Sequence, residues 1–166
     1  MKLIQFDLER DFDTIKNWVT DERTHAMWCA NRFIFPLEKE NFSDVLSRIA
    51  DQWGDIPFCL LTDNDETAGF FCYSLNSDTK EGMIKFLVVN PEFRGKGVAG
   101  ELLRLASEHA FENGAELVHL NVFPENSRAM KCYLKAGFTQ RKLTENAFTY
   151  KDESWRRCNM VLTRNK

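Results

Sequence analysis

Gly95-Lys96-Gly97-Val98-Ala99-Gly100 is the stretch of this chain whose residue types and spacing point most directly to chemistry. It follows an apolar, strand-like run and opens a helical one. Its glycines therefore let backbone N–H groups face a ligand where a helix presents its positive end, and Arg94 and Lys96 add charge beside them. Such a loop suits a pyrophosphate. The pattern G-x-G-x-x-G also admits a dinucleotide-binding fold, and with it a nucleotide-dependent oxidoreductase. In that fold the glycines come almost directly off the strand, whereas here Pro91, Glu92, Phe93 and Arg94 intervene. A tight strand-to-helix turn with surface basic residues has the same appearance.

The elements around the loop can be read from periodicity. Met83 to Asn90, with its run Phe86, Leu87, Val88 and Val89, reads as a central strand ended by Pro91. Val98, Leu102, Leu105, Ala106, His109 and Ala110 trace the following helix, closed by Asn113 and Gly114, and Leu117 to Phe123 is the next strand. A β-α-β crossover makes those two strands parallel and adjacent. Asn126 or Ser127 caps a further helix with Ala129, Met130, Tyr133 and Leu134 on one face, ended by Gly137. Upstream, Leu3 to Phe6 predicts a strand and Phe12, Ile15, Trp18 and Val19 a helix. Thr24 to Phe35 reads as an irregular aromatic stretch, and Pro36 introduces a helix with Phe42, Val45, Leu46 and Ile49 on its core face. Phe58 to Thr62 and Ala68 to Leu75 predict an antiparallel hairpin, and Thr139 to Leu143 and Arg157 to Thr163 two closing strands.

The 166 residues suffice for one domain, residues 1–166, with a proper core. A net charge of −3 lacks the positive excess that drives binding to a phosphate backbone, so nucleic acid is not an expected partner. Asp7, Glu9, Asp11 and Asp13 stand where a signal peptide needs an apolar stretch, and no apolar run approaches membrane-spanning length. The reading is a cytoplasmic chain without a membrane partner. Five scattered cysteines, Cys29, Cys59, Cys72, Cys132 and Cys158, read as reduced, mostly buried thiols. His25, His109 and His119 show no ligand spacing, and no metal is expected.

The longer constellation Val89-Asn90-Pro91-Glu92-Phe93-Arg94-Gly95-Lys96-Gly97-Val98-Ala99 resembles the acetyl-CoA loop of the GNAT superfamily of N-acetyltransferases. That loop reads R/Q-x-x-G-x-G/A, and Arg94, Gly97 and Ala99 fill its fixed positions. Asn126, Ala129, Tyr133, Gly137 and Phe138 also fit the family's second signature, N-x-x-A-x-x-x-Y-x-x-x-G-F. The resemblance implies an α/β fold with a mixed, mostly antiparallel sheet flanked by helices. In it the central parallel strands splay to form the acetyl-CoA cleft. It further implies that backbone groups of Leu87, Val88 and Val89 pair with the pantetheine arm and hold the thioester. Arg94, Gly95, Lys96, Gly97, Val98 and Ala99 would hold the pyrophosphate, and Asn126 would contact the arm. The implied activity is direct transfer of an acetyl group from acetyl-CoA to a primary amine in a ternary complex. Homodimers are common in that family.

Such a transfer poses two proton problems. An alkyl ammonium with a pKa of about 10.4 must lose a proton before it attacks, and the departing thiolate leaves better if an acid protonates it. Tyr133 is the candidate acid, against the alternative of a core tyrosine with a satisfied hydroxyl. For the base, some family members use a Glu five residues before the motif Asn, where this chain has Asn121. Others use one early on the preceding strand, where this chain has Glu81; His119 and a water chain are further options.

For the amine acceptor, a small molecule or a peptide, Trp28 and Phe33 are the candidate pocket walls, with Asp21 and Glu22 near enough in sequence to attract a cation. Trp155, beside Arg156 and Arg157, reads as a cover of the site or a surface pair. A non-catalytic acyl-CoA binding module would share the cofactor features without turnover.

Overall fold

The computed structural model describes residues 1–165. Seven strands form one sheet in the order β1-β2-β3-β4-β5-β7-β6. They are β1 (Lys2–Gln5), β2 (Ile56–Leu61), β3 (Thr67–Asn76), β4 (Glu81–Val89), β5 (Leu117–Val122), β6 (Thr139–Tyr150) and β7 (Glu153–Thr163). Only the central pair, β4 and β5, is parallel. That single crossover in an otherwise antiparallel sheet is not the doubly wound parallel sheet of a dinucleotide-binding domain.

The crossover helix α4 (Val98–Glu112) and α5 (Ser127–Lys135) cover one face. There Leu102, Leu103, Ala106 and Ala110 of α4 meet Phe58, Phe71, Ile84, Val118 and Leu120 from the sheet. The opposite face packs against α1 (Leu8–Ile15) and α3 (Lys39–Trp53), whose Phe12, Ile15, Phe42, Val45 and Ile49 cluster with Cys59, Phe70 and Cys72. Alternation along β2 and β3 sends successive side chains to these two cores, so both strands are buried on both sides.

Residues 24–35 are more ordered than their sequence suggests. A helix α2 (Glu22–Cys29) occupies most of that stretch, capped by the Asp21 carboxylate accepting from the Thr24 N–H at 2.8 Å and ended by Ala30 in the left-handed region. Its buried positions are His25, Ala26 and Cys29, too small or polar to register as an apolar stripe. The last two strands also run longer than expected, forming a hairpin from Thr139 to Thr163. Trp155 is neither a surface residue nor a cover. It is fully buried in a third cluster with Ala26, Phe123 and Tyr150, and the Arg23 guanidinium lies 5.2 Å from its ring.

Candidate active site

A backbone irregularity opens the cleft. β4 and β5 are paired only from Glu81 to Met83 against Leu117 to His119, after which they diverge. On its other side β4 carries one extra residue: Phe70 and Cys72 of β3 face Val88 and Lys85, so three steps on β4 oppose two on β3. Phe86, inside this bulge, has φ +55°, a costly conformation for an aromatic residue. Contacts from α2 and its following loop hold it there. Trp28 Nε1 donates to the Phe86 carbonyl at 2.8 Å, and the Phe33 ring lies 4.8 Å from that of Phe86.

Past Met83, the side of β4 that would have faced β5 has no strand partner. Backbone groups on this stretch that β5 would have paired require other partners, and Leu87, Val88 and Val89 line the cleft there. The cleft has a volume of about 1310 Å³, more than one small ligand needs, and it passes between the splayed strands to both faces of the sheet. On the α4 side it is lined by Arg94, Gly95, Gly97, Val98, Ala99, Asn126, Arg128 and Tyr133. On the other side the walls are Met27, Trp28, Arg32, Lys85, Asn121 and Arg157.

The glycine loop is built for a ligand. Gly97 is the N-cap of α4 at φ +80°, and Gly95 has φ +75°; a Cβ on either would meet no protein atom within 4 Å. Backbone conformation, with an approaching group on the open side, accounts for these glycines better than internal packing does. α4 begins without a side-chain cap, so its first N–H groups stay available. Arg94 donates to the Trp18 carbonyl at 3.3 Å, and both its partial burial and nearby Arg128 press its pKa downward. Two guanidiniums held close are relieved by an anion between them. Lys96 is not in the lining; its ammonium sits 5.6 Å from the Phe93 ring centre.

Asn126 caps α5, its Oδ1 accepting from the Ala129 N–H at 3.3 Å, and Phe138 is buried one residue after Gly137, whose φ is +95°. These two fixed ends set the rotation of α5 and turn Tyr133 toward the cleft. Burial pushes the Tyr133 hydroxyl well above its ordinary pKa, with a smaller push from Cys132 and no hydrogen-bond partner contributing. It is protonated at neutral pH and free to donate.

Several expectations are corrected. Glu81 does not line the cleft: it is bound by Arg141 at 2.8 Å, which holds its carboxyl below the ordinary range, at the end of β4 remote from the bulge. Phe33 is core, 1% exposed and stacked 4.6 Å from Phe42, so only Trp28 of the two aromatics reaches the cleft. Asp21 and Glu22 face elsewhere, the first capping α2 and the second paired with Lys151 at 3.4 Å. His119 also lies outside the lining; its Nδ1 is 3.1 Å from Asn159 Nδ2, and burial lowers its pKa. Arg128, Arg32 and the bulge stand outside the motifs of the sequence, although Arg128 lies only two residues after the motif Asn.

The comparisons with known proteins place this fold in a family. The acetyltransferase (GNAT) family model matches residues 12–138, and the chain belongs to that family, whose donor is acetyl-CoA. A mycothiol acetyltransferase of Propionibacterium freudenreichii subsp. shermanii is 34% identical over 101 residues, 58% of this chain and 32% of that protein. The thialysine N-epsilon-acetyltransferase of Bos taurus is 27% identical over 125 residues, 64% of this chain and 72% of that one. The chain matches only a quarter to a third of the length of its first curated relatives. Among solved structures, spermidine N-acetyltransferase from Vibrio cholerae in complex with CoA and spermine superposes with a TM-score of 0.81 at 18% identity, covering 98% of this chain and 94% of that one.

Proposed function

We propose that this chain transfers an acetyl group from acetyl-CoA directly to a primary amine, both substrates being bound at once. The observation that carries the reading is the cleft itself: it joins an anion-binding loop on one face to a second opening on the other, with Tyr133 in its wall. The loop and the two guanidiniums hold the pyrophosphate, and the unpaired edge of β4 holds the pantetheine amides and the thioester carbonyl. An amine entering from the α2 side meets that carbonyl.

The nitrogen lone pair forms the new C–N bond, and the C–S bond breaks. Tyr133 gives its proton to the departing thiolate and recovers one from solvent. Among the described residues no imidazole lines the cleft, and the only carboxylate there is Glu108, held by Arg104 at 2.6 Å on the α4 side. The amine's proton therefore leaves to water. Cationic walls assist, since nearby positive charge lowers the pKa of a bound ammonium.

The test is amine-dependent release of the CoA thiol by the wild-type protein and by Tyr133→Phe. A catalyst loses rate in the variant, whereas a non-catalytic acyl-CoA module binds acetyl-CoA and releases no thiol in either form. Tyr133, in the cleft wall with its hydroxyl held protonated by burial, favours the catalyst.

A further inference from the structure

The acceptor side of the cleft carries an unbalanced charge. Three cations line it: Arg32 from the segment after α2, Lys85 from β4 and Arg157 from β7. Lys85 is neutralised by Asp55, 2.7 Å away, and both are well shielded. Arg32 and Arg157 are exposed and have no ion pair among the described residues. No acid lines this side. Beside Arg157, a shallow annex formed by Asn121, Arg141, Lys142, Thr144 and Asn159 adds further positive charge, of which only Arg141 is balanced, by Glu81. This bias arises in a chain whose net charge is −3, so it is local and not a reflection of composition.

Resting on the acetyl-transfer reading, we infer that the acceptor is an amine that also carries an anion, a carboxylate or an equivalent oxyanion, received by Arg157 with Arg32 opposite. A polyamine is excluded by the same wall, although the chain shares its fold with a spermidine N-acetyltransferase. A polycation placed along it would bring like charges together with no carboxylate to receive them, which costs affinity at any register. A carboxylate instead meets a guanidinium that presents two parallel N–H donors. Asn121 of β5 lines the same wall, and with its Oδ1 accepting from Asn159 Nδ2 at 2.9 Å its amide N–H groups remain for the same ligand.

The experiment measures acetylation of matched amines with acetyl-CoA saturating. The panel holds α- and ω-amino acids of two to six carbons, their carboxamides, the corresponding aminoalkylphosphonates, and spermidine. The expected result is a kcat/KM for the anionic amines at least tenfold above that of their carboxamides, with spermidine poorest; the carboxylate and phosphonate arms show which oxyanion fits. In Arg157→Gln the anion-to-carboxamide ratio collapses toward one through a higher KM for the anionic amine, and Arg157→Lys restores part of it. Arg157 is exposed, and an unchanged thermal midpoint confirms that the variants fold. Transfer to carboxamides or spermidine at equal or better efficiency overturns this inference and leaves acetyl transfer standing, as does a ratio that survives Arg157→Gln. Acetyl-CoA binding with no transfer to any amine in the panel overturns both.

Discussion

The indole nitrogen of Trp28 donates to the carbonyl of Phe86 across 2.8 Å, tying α2 to the β4 residue held at φ +55°. This bond joins the acceptor wall to the bulge that separates β4 from β5. Replacing Trp28 by Phe keeps an aromatic wall but leaves a part-buried carbonyl unpaired, which costs about 1–3 kcal/mol. The expected outcome is a lower denaturation midpoint together with weaker acetyl-CoA binding. A stability loss with unchanged acetyl-CoA affinity would show that the bulge holds without the indole.

Arg94 and Arg128 flank the glycine loop without an acid between them. Saturating acetyl-CoA, at about 100 times its dissociation constant, adds about 2.7 kcal/mol, or roughly 5 to 10 °C in thermal midpoint. Arg94→Gln or Arg128→Gln weakens coenzyme A binding about tenfold and flattens its salt dependence, read by titration calorimetry at two ionic strengths. Gly97→Val suffers more, because its side chain is strained at φ +80° and projects where the phosphates approach.

How legible all this was depended on whether a feature is local. The loop and α5 could be read because Gly97, Asn126 and Gly137 each fix one backbone conformation close in sequence to the residue they position. α2 could not, since its buried side is His25, Ala26 and Cys29 and its anchor is a carbonyl 58 residues away. Glu81 looked free in sequence; its partner Arg141 arrives only through the pairing of β6 with β7 and of β7 with β5. The positive φ of Phe86 has no local sign at all, because a glycine would have announced it and a phenylalanine does not.

With no imidazole lining the cleft among the described residues, and its one carboxylate, Glu108, held by Arg104, the pH–rate profile belongs to the acceptor. kcat/KM is expected to rise about tenfold per pH unit up to the pKa of the bound amine. Glu81→Gln keeps both this slope and the rate within threefold, and costs at most about 1 kcal/mol of stability, since its ion pair with Arg141 is partly exposed. A hundredfold fall in rate, or a new acid limb, would return Glu81 to the chemistry.

Stability should fall on the acid side of neutrality. Burial lowers the pKa of His109, packed 4.8 Å from Phe58, and of His119. The unfolded chain therefore takes up protons first. The stability from these two neutral imidazoles is complete above their ordinary pKa of about 6.5 and is lost as pH falls through that value toward the lowered folded ones. Denaturant midpoints at pH 7.5 and 5.5 check the sign: the lower pH should give the lower midpoint, and His109→Gln should reduce the difference.

The measurement closest to the central claim is amine-dependent CoA thiol release at saturating acetyl-CoA, wild type against Tyr133→Phe. Loss of the buried proton donor should lower kcat by about 10²- to 10⁴-fold while the thermal shift induced by acetyl-CoA stays the same. Equal rates in the two proteins, or thiol release that ignores the amine, would contradict the account.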